Sequence, residues 1–260
     1  MRLKPEFARF SAFLLDCDGV LWRGEEPIPG APEAVRALKA SGKKVLFFTN
    51  NATLSRRGYL AKLRRLGFDA EPGEVYCSAY AAAVWLRGRV RRVYVVGEEG
   101  LVEELKLAGL ELAGPEEAEC VVVGLDRGLT YGKLEGALRC LSRGALLVAT
   151  NGDPTLPTER GLAPGAGAIL AALEAAAGRR ADAVVGKPNA FMYELALREH
   201  GIRPGEALAV GDRLDTDVEG AKRAGLAAAL VLTGAAKLSD LERARVKPDF
   251  VLGSIRDLFE

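Results

Sequence analysis

Short apolar or β-branched runs alternate with longer amphipathic stretches along the whole chain. This alternation of strand-sized and helix-sized segments restricts the fold to repeated β and α units around a largely parallel sheet, an α/β architecture. Strands are expected at Ala12–Leu15, Lys44–Phe48, Val93–Val96, Cys120–Val123, Leu146–Ala149, Ala183–Val185, Ala207–Val210 and Leu226–Leu232. Most are too apolar to alternate, as strands covered on both faces are. Helices are expected between them, among them Ala31–Ala40, opened by Pro32 and closed by Gly42, and Ser55–Leu66, capped by Ser55 with Leu60, Leu63 and Leu66 as its buried stripe. Similar stretches run over Ala79–Arg87, Glu99–Ala108, Lys133–Ser142, Ile169–Ala177, Ala190–His200 and Asp217–Ala224.

The pattern is interrupted at Arg87-Gly88-Arg89-Val90-Arg91-Arg92 and again at Gly178-Arg179-Arg180, which read as hinges. Between them lies a segment of domain size. The expected organisation is therefore a core from residues 1–88 and 182–260, with a domain inserted over 89–181.

Charge excludes several partners. Lys plus Arg number 36 and Asp plus Glu 35, a net charge of +1, which supplies no general attraction to nucleic acid or to an acidic membrane. The longest uncharged stretches, Gly161–Leu173 and Ala224–Ala236, fall short of the roughly 20 residues a membrane span needs. Near the N-terminus the apolar run Phe10–Leu15 is cut by Asp16 and is too short for a secretory signal, so a cytoplasmic location is expected. The four cysteines, Cys17, Cys77, Cys120 and Cys140, form no C-x-x-C pair and His200 is the single histidine. They read as buried apolar residues and a helix-end contact rather than as a zinc site.

The residues at the carboxyl ends of the strands carry the chemistry. Phe13-Leu14-Leu15 ends in Asp16-Cys17-Asp18-Gly19, Val45–Phe48 in Thr49-Asn50-Asn51, Ala183–Gly186 in Lys187-Pro188, and Leu208–Gly211 in Asp212. In one parallel sheet all four would land at the carboxyl edge, where open α/β folds bind ligands. Asp16 and Asp18 would face the same way, since extended side chains alternate with a period of two. With Asp212 added, three acids would repel one another by ~4 kcal/mol per pair at 4 Å and an effective dielectric of 20, so a cation is required among them. Oxygen ligands without His or Cys select a hard ion, and few carboxylates with open positions suit Mg²⁺. Such an ion with a lysine, a threonine hydroxyl and the free N–H groups of a strand-to-helix turn makes a site for a phosphoryl dianion. A carboxylate there can act as nucleophile through an aspartyl-phosphate.

Through Asp16-Cys17-Asp18-Gly19-Val20, Phe48-Thr49-Asn50-Asn51, Gly186-Lys187-Pro188 and Gly211-Asp212-Arg213-Leu214-Asp215-Thr216-Asp217, the chain resembles the haloacid dehalogenase (HAD) superfamily, and within it the NagD-like and p-nitrophenyl phosphatase subfamily. That resemblance implies that residues 1–88 and 182–260 form a Rossmann-like, parallel-sheet catalytic HAD core and that 89–181 are an inserted α/β cap of C2 type, since the domain-sized insertion falls after Thr49 rather than before it. It also implies catalytic roles for Asp16 as nucleophile, Asp18 as general acid and then base, Thr49 as phosphoryl binder and Lys187 as the charge-balancing cation. Asn50 would bind phosphoryl, and Asn51 joins it as a substrate-binding candidate. Mg²⁺ would be held by the Asp16 and Asp212 carboxylates and the Asp18 carbonyl, with Asp217 a further acid near the metal or the cap of the helix that begins there. The loop Ala149-Thr150-Asn151-Gly152-Asp153-Pro154 looks like the cap's substrate-facing loop, with Asn151 and Asp153 as candidate contacts, although Gly152 stands where relatives commonly carry proline.

The expected activity is Mg²⁺-dependent hydrolysis of a small phosphorylated metabolite, with p-nitrophenyl phosphate as artificial substrate and no nucleic acid or membrane partner. A homodimer is left open. The rival readings are a phosphosugar mutase, which would use the same phosphoenzyme, and a non-catalytic sensor of phosphometabolites, for which Asp18 would be superfluous.

Overall fold

A computed structural model describes residues 1–158 and 161–260. They form two compact units, one from residues 1–49, 59–76 and 187–260, the other from 50–58 and 77–186. The first carries a six-stranded sheet of order Phe250–Leu252, Ala227–Val231, Ala207–Gly211, Ala12–Asp16, Lys44–Thr49 and Val75–Cys77. Ala12–Asp16 and Ala207–Gly211 are central and buried throughout, which is why neither carries polar alternation. Helix Ala31–Ala40 begins with Pro32 in its first turn and buries Ala31, Ala34, Val35 and Leu38 on one face. Phe48 stacks between Tyr76 and Tyr193, at centroid separations of 5.3 and 5.1 Å, beneath the carboxyl edge of the sheet. Each such buried ring contributes about 1.5–3 kcal/mol relative to exposure.

The second unit has a five-stranded sheet of order Ala183–Val184, Leu146–Ala149, Cys120–Val123, Arg92–Val96 and Glu111–Leu112. Its core joins Val121, Val123, Leu147 and Ala149 to Ile169, Leu170 and Leu173 of the Ala166–Ala177 helix. The hairpin Thr155–Thr158 and Gly161–Pro164 is antiparallel.

Two expectations differ from this division. The units do not part at 88/89 and 181/182: helix Ser78–Leu86 lies in the second unit, and so does Ala183–Val184. The arginine- and glycine-rich breaks are thus turns within one unit and not its borders. Secondly, Ala183–Val185 is not a strand of the Asp16 sheet. Ala183 and Val184 pair in parallel with Val148 and Ala149, and the Asp182 N–H donates to the Leu147 carbonyl at 2.8 Å. Among the described residues no helix is long and apolar enough to cross a membrane. All four cysteines are buried and unpaired.

Candidate active site

The register of the first sheet sets the site. Asp16 lies opposite Phe48, so Thr49 is one residue beyond it on the neighbouring strand, while Leu15 pairs with Val210, so Asp212 emerges two residues further on the other side. Asp16, Thr49 and Asp212 are all buried. Lys187 joins them after the strand Ala183–Val184 has ended, and its ammonium donates to Asp16 Oδ1 at 2.5 Å and to Asp217 Oδ1 at 2.6 Å. The backbone just before it belongs to the other unit, and the Lys187 side chain is only 3% exposed. One carboxylate oxygen from each of Asp16, Asp212 and Asp217 lies within 4.8 Å of the others.

Asp217 is expected at a helix start but sits in a π-helical turn, Leu214–Val218, that precedes the helix Glu219–Arg223. Its Oδ2 accepts from the N–H groups of Asp212 and Arg213, at 3.2 and 3.1 Å, so it braces the strand end instead of capping the helix. Both its oxygens are thereby engaged, one on Lys187 and one on backbone. Asp215 is exposed and pairs with Arg213 at 3.0 Å.

Charge in this cluster is unbalanced. Burial and, next, the charge of Asp217 push the Asp212 carboxyl up to about 7. Burial likewise lifts Asp16 well above the usual carboxylate range; Lys187 opposes this, while Asp217 and Asp212 add to it. For Lys187 desolvation favours the neutral amine, but the attraction of Asp16 and Asp217 outweighs it and holds the ammonium well above the usual lysine range. One cation thus faces three acids, and a second, divalent charge would remove the excess. An all-oxygen donor set fits a hard ion such as Mg²⁺.

Asp18 is placed by the turn at the end of the first strand. The carbonyl of Cys17 accepts from the N–H groups of Leu21 and Trp22, at 2.8 and 3.2 Å, and the Gly19 N–H donates to the Trp22 carbonyl at 2.8 Å. The chain therefore doubles back, and the Trp22 indole Nε1–H donates to Asp18 Oδ1 at 3.0 Å. Asp18 is open to solvent on one side, but protein crowds it on the others, and this desolvation raises its carboxyl above the ordinary range against the pull of Lys62 and Trp22.

Asp212 is enclosed by backbone. Its Oδ2 accepts from the Ala235 N–H at 2.7 Å, and its carbonyl from the Ala236 N–H at 3.0 Å. Gly19 has φ of 81°, and a β-carbon there would stand 2.4 Å from Asp212 Oδ2; at Gly234 the distance would be 1.9 Å. Gly19→Ala is therefore expected to combine left-handed backbone strain with displacement of the acid, at about 1–3 kcal/mol of stability. Thermal melting checks the first effect, and a weaker Mg²⁺-induced rise in melting temperature checks the second. A variant as stable and as responsive to Mg²⁺ as the wild type would show that the cradle yields freely.

The candidate substrate contacts of the second unit form one network of their own. Asn50 Nδ2 donates to Asp153 Oδ2 at 3.0 Å, Asn151 Nδ2 donates to the Asn50 carbonyl at 2.7 Å, and the Asp153 N–H donates to Asn151 Oδ1 at 3.1 Å. Asn51 Oδ1 accepts from the Thr53 N–H at 3.0 Å, closing a local turn. Trp22 and the Gly234-Ala235 segment are not among the residues that strand-end motifs single out. A buried indole needs a partner for its N–H, and that signal is present four residues after Asp18. Backbone groups around Asp212 carry no side-chain signature.

An acid pair at the end of the first strand, a buried lysine and further acids at one carboxyl edge define an acid-centred α/β enzyme. The chain belongs to the haloacid dehalogenase-like hydrolases: that family's model matches residues 13–111, and a HAD-hydrolase-like model matches 184–258. Within the family its structural neighbours are NagD-like p-nitrophenyl phosphatases, and it is a HAD-type phosphatase. The human glycerol-3-phosphate phosphatase is 41% identical over 99% of this chain and 92% of its own. The p-nitrophenyl phosphatase from Archaeoglobus fulgidus superposes with a TM-score of 0.92 at 39% identity, covering 96% of this chain and 98% of that one. A glycerol phosphate phosphatase from Mycobacterium tuberculosis in complex with magnesium gives 0.91 at 38% identity, over 100% of this chain and 79% of its own.

Proposed function

We propose that this chain is a Mg²⁺-dependent hydrolase of small phosphorylated metabolites that forms an aspartyl-phosphate on Asp16, with p-nitrophenyl phosphate and glycerol 3-phosphate as assay substrates. The observation that carries the reading is the buried cluster in which Lys187 bridges Asp16 and Asp217 beside Asp212. Asp16 and Asp212, with the carbonyl of Asp18, would hold the Mg²⁺, and Asp217 orients Lys187 and the strand end. The ion, when bound, neutralises phosphoryl charge.

Asp16 attacks phosphorus while Asp18, protonated, donates to the leaving oxygen, so one P–O bond forms as another breaks. Asp18, now ionised, takes a proton from water, which attacks the phosphoenzyme and regenerates Asp16. Thr49 and Lys187 hold the phosphoryl oxygens, and Asn50, Asn51, Asn151 and Asp153 act on the substrate side. The unit of residues 50–58 and 77–186 serves as the cap. Buried, unbonded thiols agree with a cytoplasmic setting. Purified protein should release inorganic phosphate from both esters with Mg²⁺ and not with EDTA. Isomerisation of a sugar phosphate without phosphate release would favour the mutase, and binding without turnover the sensor.

Metal binding should depend on pH. Asp212 titrates near 7 without the ion, so Mg²⁺ must displace its proton below that pH. Apparent affinity is expected to fall at least about tenfold for each pH unit below about 7, since the proton on Asp212 must leave and the raised carboxyl of Asp16 can only add to the dependence. The raised carboxyl of Asp212 makes the metal-free fold lose stability as pH rises from the usual carboxylate range through about 7, and Mg²⁺ restores the loss. Calorimetry in two buffers of different ionisation enthalpy measures the released proton. An affinity flat from pH 5.5 to 8 would count against Asp212 as a ligand.

A further inference from the structure

Trp22 stands apart from the residues that carry the family motif. It comes just after the turn closed by the Cys17 carbonyl and is fully buried. One face of its indole is covered by the Lys62 ammonium, 4.9 Å from the ring centroid, and the ring meets Phe68 in an edge-to-face arrangement with centroids 6.2 Å apart. Lys62 is itself anchored on the Gly24 carbonyl at 2.9 Å and on Glu25 at 3.1 Å. Glu25 also pairs with Arg65, and Arg23 Nε donates to the Thr233 carbonyl at 2.8 Å. The hairpin of Trp22–Arg23 and Glu26–Pro27 is thus fastened at three points, and the indole has little freedom to turn. Its one polar atom points at Asp18 Oδ1, 3.0 Å away, whereas Asp18 itself is open to solvent. A solvent-facing carboxylate without such a donor would sample several rotamers.

We propose that Trp22 is a positioning residue for proton transfer: its N–H fixes Oδ1 of Asp18 and leaves Oδ2 as the oxygen that carries the proton to the leaving group. The proposal rests on the hydrolase reading above. An N–H donor needs a lone pair, so the acid proton resides on the other oxygen. In the first step Asp16 forms its bond to phosphorus, the ester P–O bond breaks, and the Oδ2 proton moves to the departing oxygen. In the second the ionised Oδ2 accepts a proton from the attacking water, still held in place by the bond to Oδ1. Trp22 touches neither substrate nor phosphoryl group in this scheme and acts through Asp18.

Leaving groups separate this role from simple packing. p-Nitrophenolate departs as a stable anion without protonation, whereas the alkoxide of glycerol 3-phosphate needs the proton. Trp22→Phe keeps most of the ring and removes the N–H. Its kcat/KM, which reports the first chemical step, should fall about 10- to 100-fold on glycerol 3-phosphate and less than about threefold on p-nitrophenyl phosphate. In an Asp18→Asn background the same substitution should cost nothing further. Benzothienylalanine placed at position 22, with sulfur for N–H in the same bicyclic outline, should reproduce the split even if Trp22→Phe folds poorly. Equal losses on both esters, or a full additional loss in the Asp18→Asn background, would overturn the proposal. A wild type inert toward both esters in Mg²⁺ would instead bring down the hydrolase reading, and this one with it.

Discussion

Asp16→Asn is expected to abolish turnover, lowering kcat by about 10⁴-fold or more, while leaving the fold intact. The amide is nearly isosteric and still accepts a hydrogen bond from Lys187, but it cannot attack phosphorus to form an acyl phosphate. The effect on stability should be small because two changes oppose each other. The ion pair to Lys187 at 2.5 Å loses its anionic partner, and the repulsion that Asp16 shares with Asp217 and Asp212 is relieved at the same time. Paired assays of phosphate release and thermal melting test both halves. Borohydride quenching during turnover supplies a chemical readout, since an acyl phosphate is reduced and the wild type should yield homoserine at position 16. A variant within tenfold of wild-type kcat, with no homoserine in the wild type, would place the nucleophile elsewhere.

The strands that the sequence made legible are the buried ones. Ala12–Asp16, Cys120–Val123, Leu146–Ala149 and Ala207–Gly211 are apolar on both faces, and a run of that composition has few alternatives between turn signals. Edge strands gave no such signal: Val75–Cys77 and Phe250–Leu252 are three residues each, and Val251 is exposed. The strand Ala183–Val184 was legible as a strand but not as a member of its sheet, because a two-residue parallel pairing leaves no mark on composition. The borders of the two units were illegible for a related reason. The chain passes between them at the end of the strand Lys44–Thr49, inside the helix Arg56–Arg65, inside the strand Val75–Cys77 and just before Lys187, while the glycine- and arginine-rich segments that look like linkers are turns inside one unit.

At the site the acids and the lysine could be read because buried charge is rare and strand ends are its expected place. The geometry brings Asp16, Lys187, Asp212 and Asp217 together. What holds them in place was mostly hidden. Asp212 is enclosed by two glycines and an alanine N–H, and the register of a π-helical turn decides that Asp217 braces a strand end. Such placements depend on backbone path, which residue identity states weakly.

Lys187→Met should have the second large effect, and on two observables at once. Methionine fills similar volume but leaves Asp16, Asp212 and Asp217 with no neighbouring ammonium, and removing one partner of a buried pair costs about 3–5 kcal/mol. Lys187 is held protonated well above the usual lysine range, so in the wild type its contribution is fully present at every pH below that range and would be lost only on passing above it. In the variant the acids must carry the change instead. Their folded-state affinities for protons rise further, so the variant's stability increases as pH falls from 8 toward 5.5, more steeply than that of the metal-free wild type. Mg²⁺ should recover part of this stability by supplying positive charge to the same oxygens. It should not recover activity, because the phosphoryl oxygens lack their ammonium partner; kcat is expected to drop by about 10³-fold. Melting curves at several pH values, with and without Mg²⁺, separate the charge-balancing role from packing. A variant whose melting temperature is low but independent of pH would show that Lys187 serves the core by its volume and not the acids by its charge.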